Sequence, residues 1–253
     1  MKHTQMPAHL FLASLGKTML RPGGRRATER ILDHLQLKRH STVLEVAPNM
    51  GTTTIHIART YGCKVVAVDL HRPSLEKAKE NVKKAGLEDQ IEILVGDARN
   101  LPFSDGTFDA VINEAMLTML PNKGKQQALQ EYYRVLKKGG RLGTHDVGLQ
   151  EPLSPKLLDR FHKQLKIPAT PLTVTEWNSL FAQVPFSQVE YHATTMSLMS
   201  LDGMLIDEGW EGTIQILQNS GQSEEKRARF LEMASFFSQN SHIFGSCTFH
   251  AIK

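Results

Sequence analysis

The sequence predicts an α/β protein: a doubly wound, mostly parallel seven-stranded sheet with helical elements forming a lid. Three observations carry that prediction. Val43 to Asp69 reads as strand, tight turn, helix and strand. Short apolar runs then alternate with amphipathic stretches as far as Val147. Beyond residue 150 that rhythm breaks into helices and a late pair of strands.

In chain order, residues 1–20 suggest an amphipathic helix through Leu10, Phe11, Leu15 and Met19. Arg21 to Arg26 is a Pro-Gly-Gly turn, and Ala27 to Leu37 a second helix with Ile31, Leu32 and Leu35 inward. Val43 to Ala47 is apolar but for Glu45, the pattern of a strand buried on both faces. Pro48 and Asn49 break it, and Ile55, Ile57 and Ala58 suit a helix packed on a sheet. Thr52, Thr53 and Thr54 are placed to satisfy the free N–H groups at that helix start, and Gly62 to end it in a left-handed turn. Lys64 to Val68 is a β-branched run closed by Asp69. Pro73 suits the first turn of a helix over Ser74 to Ala85, which Gly86 ends. Ile91 to Val95, Phe108 to Asn113 and Arg141 to Val147 complete five strands, with a helix at Asn122 to Lys137.

In the last hundred residues, Ser154 to Lys166 looks helical. Thr173 to Glu176 matches a capping box before a helix carrying Trp177, Leu180 and Phe181. Gln188 to Met196 alternates like a strand, Gly203 to Asn219 reads as a helix, Ser223 caps another, and Ile243 to Ile252 is a final strand. The expected division is a helical cap at 1–37, a nucleotide-type core at 38–150, and a lid plus two closing strands at 151–253. Trp177, Trp210, Phe236 and Phe237 fall at helical spacing and read as core.

Composition narrows the function classes. With 40% hydrophobic and 22% charged residues the chain is ordinary for a soluble globular protein, and no apolar run is long enough for a membrane span. Cys63 and Cys247 fit no metal or redox spacing, so no metal is expected and a reduced, cytoplasmic setting is. The basic excess is local: residues 1–40 hold eight Lys/Arg against two acids, and the rest of the chain is slightly acidic. A solvated helix face explains this, and recognition of an acidic partner competes. Aromatic residues do not interleave with the arginines as single-strand binding would need.

Ligands of such sheets bind beyond the carboxyl ends of the parallel strands, where strand order reverses. Here those ends are Glu45 to Gly51, Asp69-Leu70, Asp97-Ala98-Arg99, Asn113-Glu114-Ala115 and Thr144-His145-Asp146, and acids recur among them. A dinucleotide site would need G-x-G-x-x-G after the first strand; Ala47-Pro48-Asn49-Met50-Gly51 lacks it, which disfavours an NAD-linked oxidoreductase. The turn instead resembles the first motif of the class I S-adenosylmethionine-dependent methyltransferases, an acid followed by x-G-x-G-x-G. Glu45 matches the acid and Gly51 the third glycine, while Ala47 and Asn49 replace the first two. Both replacements are mild, since Ala has the smallest Cβ and Asn best tolerates positive φ.

The resemblance implies a Rossmann-like methyltransferase fold with S-adenosylmethionine as cofactor and S-adenosylhomocysteine as product. It implies that Glu45 orders the turn near the methionine ammonium, and that Ala47, Pro48, Asn49, Met50 and Gly51 face the methionine end. It gives Asp69 the ribose hydroxyls, Leu70 one face of the adenine, and Asp97 the adenine amino group beside Ala98 and Arg99. Asn113 and Glu114, in INEAML, would sit near the sulfonium. The whole chain is also similar to small-molecule methyltransferases like those of quinone pathways, through its RPGG turn and a DEGWEG stretch. That likeness implies that Arg21 to Gly24, with Gly23 and Gly24, fold over the cofactor.

Structural readings compete: a helix N-cap for Asp69 and Asp97, and a hydrogen-bonded histidine for His145, whose sharper role is a base toward the acceptor. The expected activity is methyl transfer to a small-molecule acceptor, and a homodimer is compatible with it. Its rivals are a nucleic-acid (RNA) methyltransferase, disfavoured because Asn113-Glu114-Ala115-Met116 lacks the Pro-Pro-aromatic signature of base-amino methylases, and a cofactor-binding homologue without catalysis.

Overall fold

The computed structural model describes residues 6–253, so the start of the expected first helix lies outside the described residues. The elements are α1 (Ala8–Ser14), α2 (Gly24–Leu35), β1 (Thr42–Val46), α3 (Thr52–Tyr61), β2 (Lys64–Asp69), α4 (Arg72–Ala85), β3 (Ile91–Val95) and β4 (Phe108–Glu114). There follow α5 (Asn122–Val135), β5 (Leu136–Leu149), α6 (Pro155–Leu165), β6 (Leu172–Thr173), α7 (Val174–Phe181), β7 (Gln188–Thr195), α8 (Leu201–Ser220), α9 (Glu224–Gln239) and β8 (Phe244–Ile252).

Seven strands lie in the order β3-β2-β1-β4-β5-β8-β7. The first five are mutually parallel, and β8 runs antiparallel between β5 and β7. Among the described residues the sheet gains an eighth strand, β6, two residues pairing with the end of β5. Two residues are too short to show a period, so nothing in the sequence pattern marks this strand. Strand order reverses between β1 and β4, and this places a crevice at their carboxyl ends.

Alternate residues of the strands feed opposite faces. Val43, Val65, Ala110 and Ile112 pack under α2, α3 and α4 through Ile31, Leu35, Ile57 and Val82. Leu44, Val46, Val111 and Leu142 pack under α5 and α7 through Leu129, Tyr132, Trp177 and Phe181. Burying a side chain of this size contributes about 1.5–3 kcal/mol, so each face is held by many such terms. A third apolar cluster lies under the lid, where Phe11, Phe161, Phe230, Phe236 and Phe244 join α1, α6, α9 and β8.

Several local expectations change. Helix α1 ends at Ser14, because Gly16 at φ +103° turns the chain and releases residues 15–23 as a strap of neither helix nor strand. Thr53 and Thr54 do not cap α3, whose N-cap is Gly51; their hydroxyls turn to buried acids instead. Gly209 (φ 72°, ψ −179°) kinks α8, and Trp210 just beyond it is 70% exposed and no part of the core. The capping box at Thr173 and Glu176 forms as read. No helix of the described residues is long and apolar enough to cross a membrane.

Candidate active site

The turn after β1 is left-handed at three alternate residues: Ala47 (φ +61°), Asn49 (φ +51°) and Gly51 (φ +78°). Only glycine adopts this conformation freely; an alanine there costs roughly 1–2 kcal/mol. The turn survives because it is held from both sides. Ala47 N–H donates to the Val68 carbonyl at 2.8 Å, and a Cβ on Gly51 would stand 3.3 Å from Ala78 of α4. Its backbone thus borders a cleft of about 270 Å³ at the ends of β1, β2 and β4.

Two carboxylates of that cleft differ in their surroundings. Asp69 ends β2, and its Oδ1 accepts from the His71 N–H at 2.9 Å. Its Oδ2 has no protein partner among the described residues, so one oxygen stays open to a ligand. Glu45 is 5% exposed and accepts from the Thr54 hydroxyl. Burial pushes its carboxyl up from 4.5 to about 7, against the pull of Thr54 and Arg21.

The opposite wall is built by the strap. Arg21 pairs with Glu114 at the end of β4 and donates to Thr53 Oγ1 at 2.8 Å and Thr28 Oγ1 at 3.0 Å. The second oxygen of Glu114 accepts from the Thr28 hydroxyl at 2.7 Å and from His145 Nδ1 at 3.2 Å. His145 Nε2 accepts from the Gly23 N–H at 2.9 Å. A main-chain N–H can only donate, so Nε2 is bare and the ring proton sits on Nδ1. Burial, with Arg21 nearby, holds this imidazole down to about 3, and it is neutral.

A buried ion cluster ties the strap to α8. Lys17 Nζ lies 3.3 Å from both Asp207 and Glu208. Glu208 also accepts from the Thr18 and Met19 N–H groups at 3.0 Å, and Asp207 from the Arg25 N–H at 2.7 Å. Gly24, at φ +58°, leaves no room for a side chain, since a Cβ would stand 2.3 Å from Asp207 Oδ1.

Of the residues expected at the site, the structure brings Glu45, Ala47, Pro48, Asn49, Met50, Asp69 and Glu114 to the wall of one cleft. Gly51 shapes the turn from behind. Leu70, 59% exposed, and Asp97, Ala98 and Arg99 lie farther along the same rim, where the Gly96 N–H donates to the Asp69 carbonyl at 3.1 Å. Arg99 engages both Asp97 oxygens (Nη2–Oδ2 2.7 Å, Nε–Oδ1 3.0 Å) and draws its carboxyl below the usual range.

Three expectations are corrected. Asn113 is fully buried and its Nδ2 donates to the Val46 carbonyl at 3.0 Å, so it ties β4 to β1 and does not border the cleft. Gly23 and Gly24 turn toward His145 and Asp207, away from the cleft; of the expected Arg21 to Gly24 turn, Arg21 is the residue that lines it. His145 is 0% exposed with both nitrogens engaged, so it braces Glu114 against the strap and faces no acceptor.

The cleft also takes His9, Thr18 and Leu20 from α1 and the strap, Met116 and Met119 after β4, and Ile167 after α6. Sequence reasoning missed these: Met116 lies inside the INEAML stretch without being singled out, and the others belong to no motif. Behind them is a smaller chamber of about 70 Å³, lined by apolar side chains including Leu12, Phe161, Met196, Leu198, Met233 and Phe237.

Residues 43–140 match a family model described as a methyltransferase domain. This domain belongs to the class I S-adenosylmethionine-dependent methyltransferase family. It is 43% identical to an uncharacterized protein of Haemophilus influenzae, over 92% of this chain and 93% of that one. It is 33% identical to the ubiquinone/menaquinone biosynthesis C-methyltransferase UbiE of Escherichia coli, over 59% of this chain and 62% of the relative, so it spans under two thirds of that protein. The Haemonchus contortus phosphoethanolamine N-methyltransferase 2, solved with S-adenosyl-L-methionine, superposes with a TM-score of 0.75 at 20% identity, over 92% of this chain and 54% of that one; it shares the fold.

S-adenosylmethionine is the cofactor of this family, and the residues present fit it. The turn is opened by three left-handed positions and has no triple-glycine cradle for a pyrophosphate. It faces acids suited to a cationic, diol-bearing ligand, one of which keeps an oxygen unspent.

Proposed function

We propose that this protein moves a methyl group from S-adenosylmethionine to a small, largely apolar acceptor held in the chamber behind the cleft. The observation that carries the reading is the joining of two unlike spaces, a cleft walled by acids and open backbone and a pocket walled by Met, Leu and Phe. When bound, the cofactor supplies a methyl carbon activated by a sulfonium and transferred by in-line displacement.

The chain's own residues then hold, align and exclude. The open oxygen of Asp69 accepts from ribose hydroxyls, and Leu70 and Asp97 extend along the rim toward the base. The Ala47 to Gly51 turn presents backbone to the methionine end, with Glu45 beneath it. The ion pair of Arg21 and Glu114 closes the near wall and fixes the strap. Helices α1, α6 and α9 keep water from the passage between cleft and chamber, which favours a displacement needing alignment within about 3–3.5 Å. This alignment supplies most of the acceleration, because little covalent help is required.

Two names among the similar proteins point to different acceptors. The Escherichia coli relative is named for quinone biosynthesis and the Haemonchus neighbour for phosphoethanolamine. Among the described residues the chamber's lining holds no Arg or Lys to receive a phosphate, which supports the apolar class.

The test is a thermal melt with S-adenosylhomocysteine and with NAD. At about 100 times the dissociation constant a true ligand adds roughly 2.7 kcal/mol. A shift with the first ligand alone is expected; a shift with NAD alone overturns the reading.

A further inference from the structure

Among the described residues, five border both the cleft and the chamber: His9, Leu20, Ala115, Met119 and Ile167. They form the neck where a methyl group passes from one space to the other. Four are apolar. His9, on α1, is the one able to take a proton, and among the described residues its ring makes no hydrogen bond or ion pair.

Of the other ionisable groups nearby, Asp69 keeps one oxygen open on the cofactor side of the cleft, His71 Nδ1 meets Ser74 Oγ at 2.7 Å, and the rest are committed. Arg21 and Glu114 pair with each other, and Glu45 lies under the turn bound to Thr54. In the chamber wall, Asp146 spends its oxygens on the Thr118 N–H at 3.0 Å and the Val147 N–H at 2.9 Å. Burial first, and the neighbouring His71 second, outweigh the attraction of Asp69 and keep the His9 imidazole below its ordinary value, hence unprotonated near pH 7.

We infer that His9 receives the acceptor's proton, and that the acceptor is an uncharged apolar molecule with one ionisable, phenol- or enol-type hydroxyl at its reactive end. The inference rests on the methyl-transfer reading of the cleft and adds the acceptor's class and its base. In the step, the hydroxyl proton moves to a ring nitrogen of His9. The freed electron pair, on the oxygen or a carbon conjugated with it, forms the new bond to the methyl carbon. The carbon–sulfur bond breaks with its pair left on sulfur, giving a neutral thioether, and the imidazolium loses its proton to solvent through the cleft. A hydroxyl inside an apolar pocket also needs a partner, and His9 is placed to be it.

At about 70 Å³ the chamber has roughly half the room of a ~150 Å³ cavity that admits one benzene. An aromatic head must therefore displace the walls, and Met119, Met196 and Met233 are side chains that repack readily.

The experiment uses the full chain saturated with S-adenosylhomocysteine and two probes, 2-naphthol and naphthalene, which differ by the hydroxyl. The wild type is expected to prefer 2-naphthol about fivefold, the factor that one hydrogen bond contributes. His9→Phe, which keeps a ring at the neck, should bind both probes alike. His9→Gln, which keeps an acceptor atom but cannot take the proton, should retain the preference. The imidazole resonance of His9 should titrate at a different pH once 2-naphthol is bound. A preference that survives in His9→Phe, or a wild type that takes up neither probe, overturns the inference. If S-adenosylhomocysteine itself does not bind, the cofactor reading fails and the inference with it.

Discussion

Glu45 provides a sharp handle on the cleft, because its proton and the ligand's ammonium compete for the same space. In the unliganded protein burial places its carboxyl at about 7, so about half the molecules carry the proton at neutral pH. A cation beside it favours the carboxylate and draws its pKa back down. Binding of S-adenosylhomocysteine then expels that proton. The apparent affinity rises with pH, by roughly tenfold between pH 6 and 8, and levels off above. Calorimetry in buffers of differing ionisation enthalpy should read about half a proton released at pH 7. Glu45→Gln should flatten the pH dependence. The same raised pKa works against the empty fold: the folded state holds this proton more tightly than the unfolded chain, so stability is lost as pH climbs from about 4.5 through 7. Glu45→Gln should accordingly stabilise the empty protein at pH 8 by about 1–3 kcal/mol. A pH-independent affinity in the wild type, or the same slope in Glu45→Gln, would refute the reasoning.

Two further substitutions test the framework around the cleft. Ala47→Gly relieves a left-handed residue at φ +61° and should raise stability in urea by about 0.5–1 kcal/mol; a loss would show that the alanine methyl packs to advantage. Lys17→Met leaves Asp207 and Glu208 buried without their cation and should cost about 3–5 kcal/mol in chemical denaturation, whereas an unchanged midpoint would remove the ion cluster as the anchor of the strap.

The parallel core was legible because its signals are local. The β-branched runs before Ala47 and Asp69, and the glycines at 62 and 86, state strands and helix ends within a few residues of themselves. The turn was legible for the same reason, since positive φ at Ala47 and Asn49 falls where the family pattern carries glycine. What the sequence concealed depends on distance along the chain. His145 reads as a histidine at a strand end, and only the fold sets Gly23 and Glu114 on its two nitrogens. Gly24 reads as turn chemistry, but its necessity comes from Asp207, far along the chain in α8. His9 and Ile167 carry no motif, and they meet at the neck because the lid cluster folds α1 and α6 over the sheet. Trp210 misled because its spacing matches a buried stripe, while the kink at Gly209 turns it to solvent.

The central claim is that the Asp69 carboxylate grips the sugar of an adenosyl ligand at this rim. Isothermal titration of S-adenosylhomocysteine into the wild type and into Asp69→Ala measures it directly. A single site is expected in the wild type and a loss of about 100-fold or more in the variant, the cost of removing a charged acceptor from two hydroxyl donors. Equal affinities in the two proteins, with the variant folded, would contradict it.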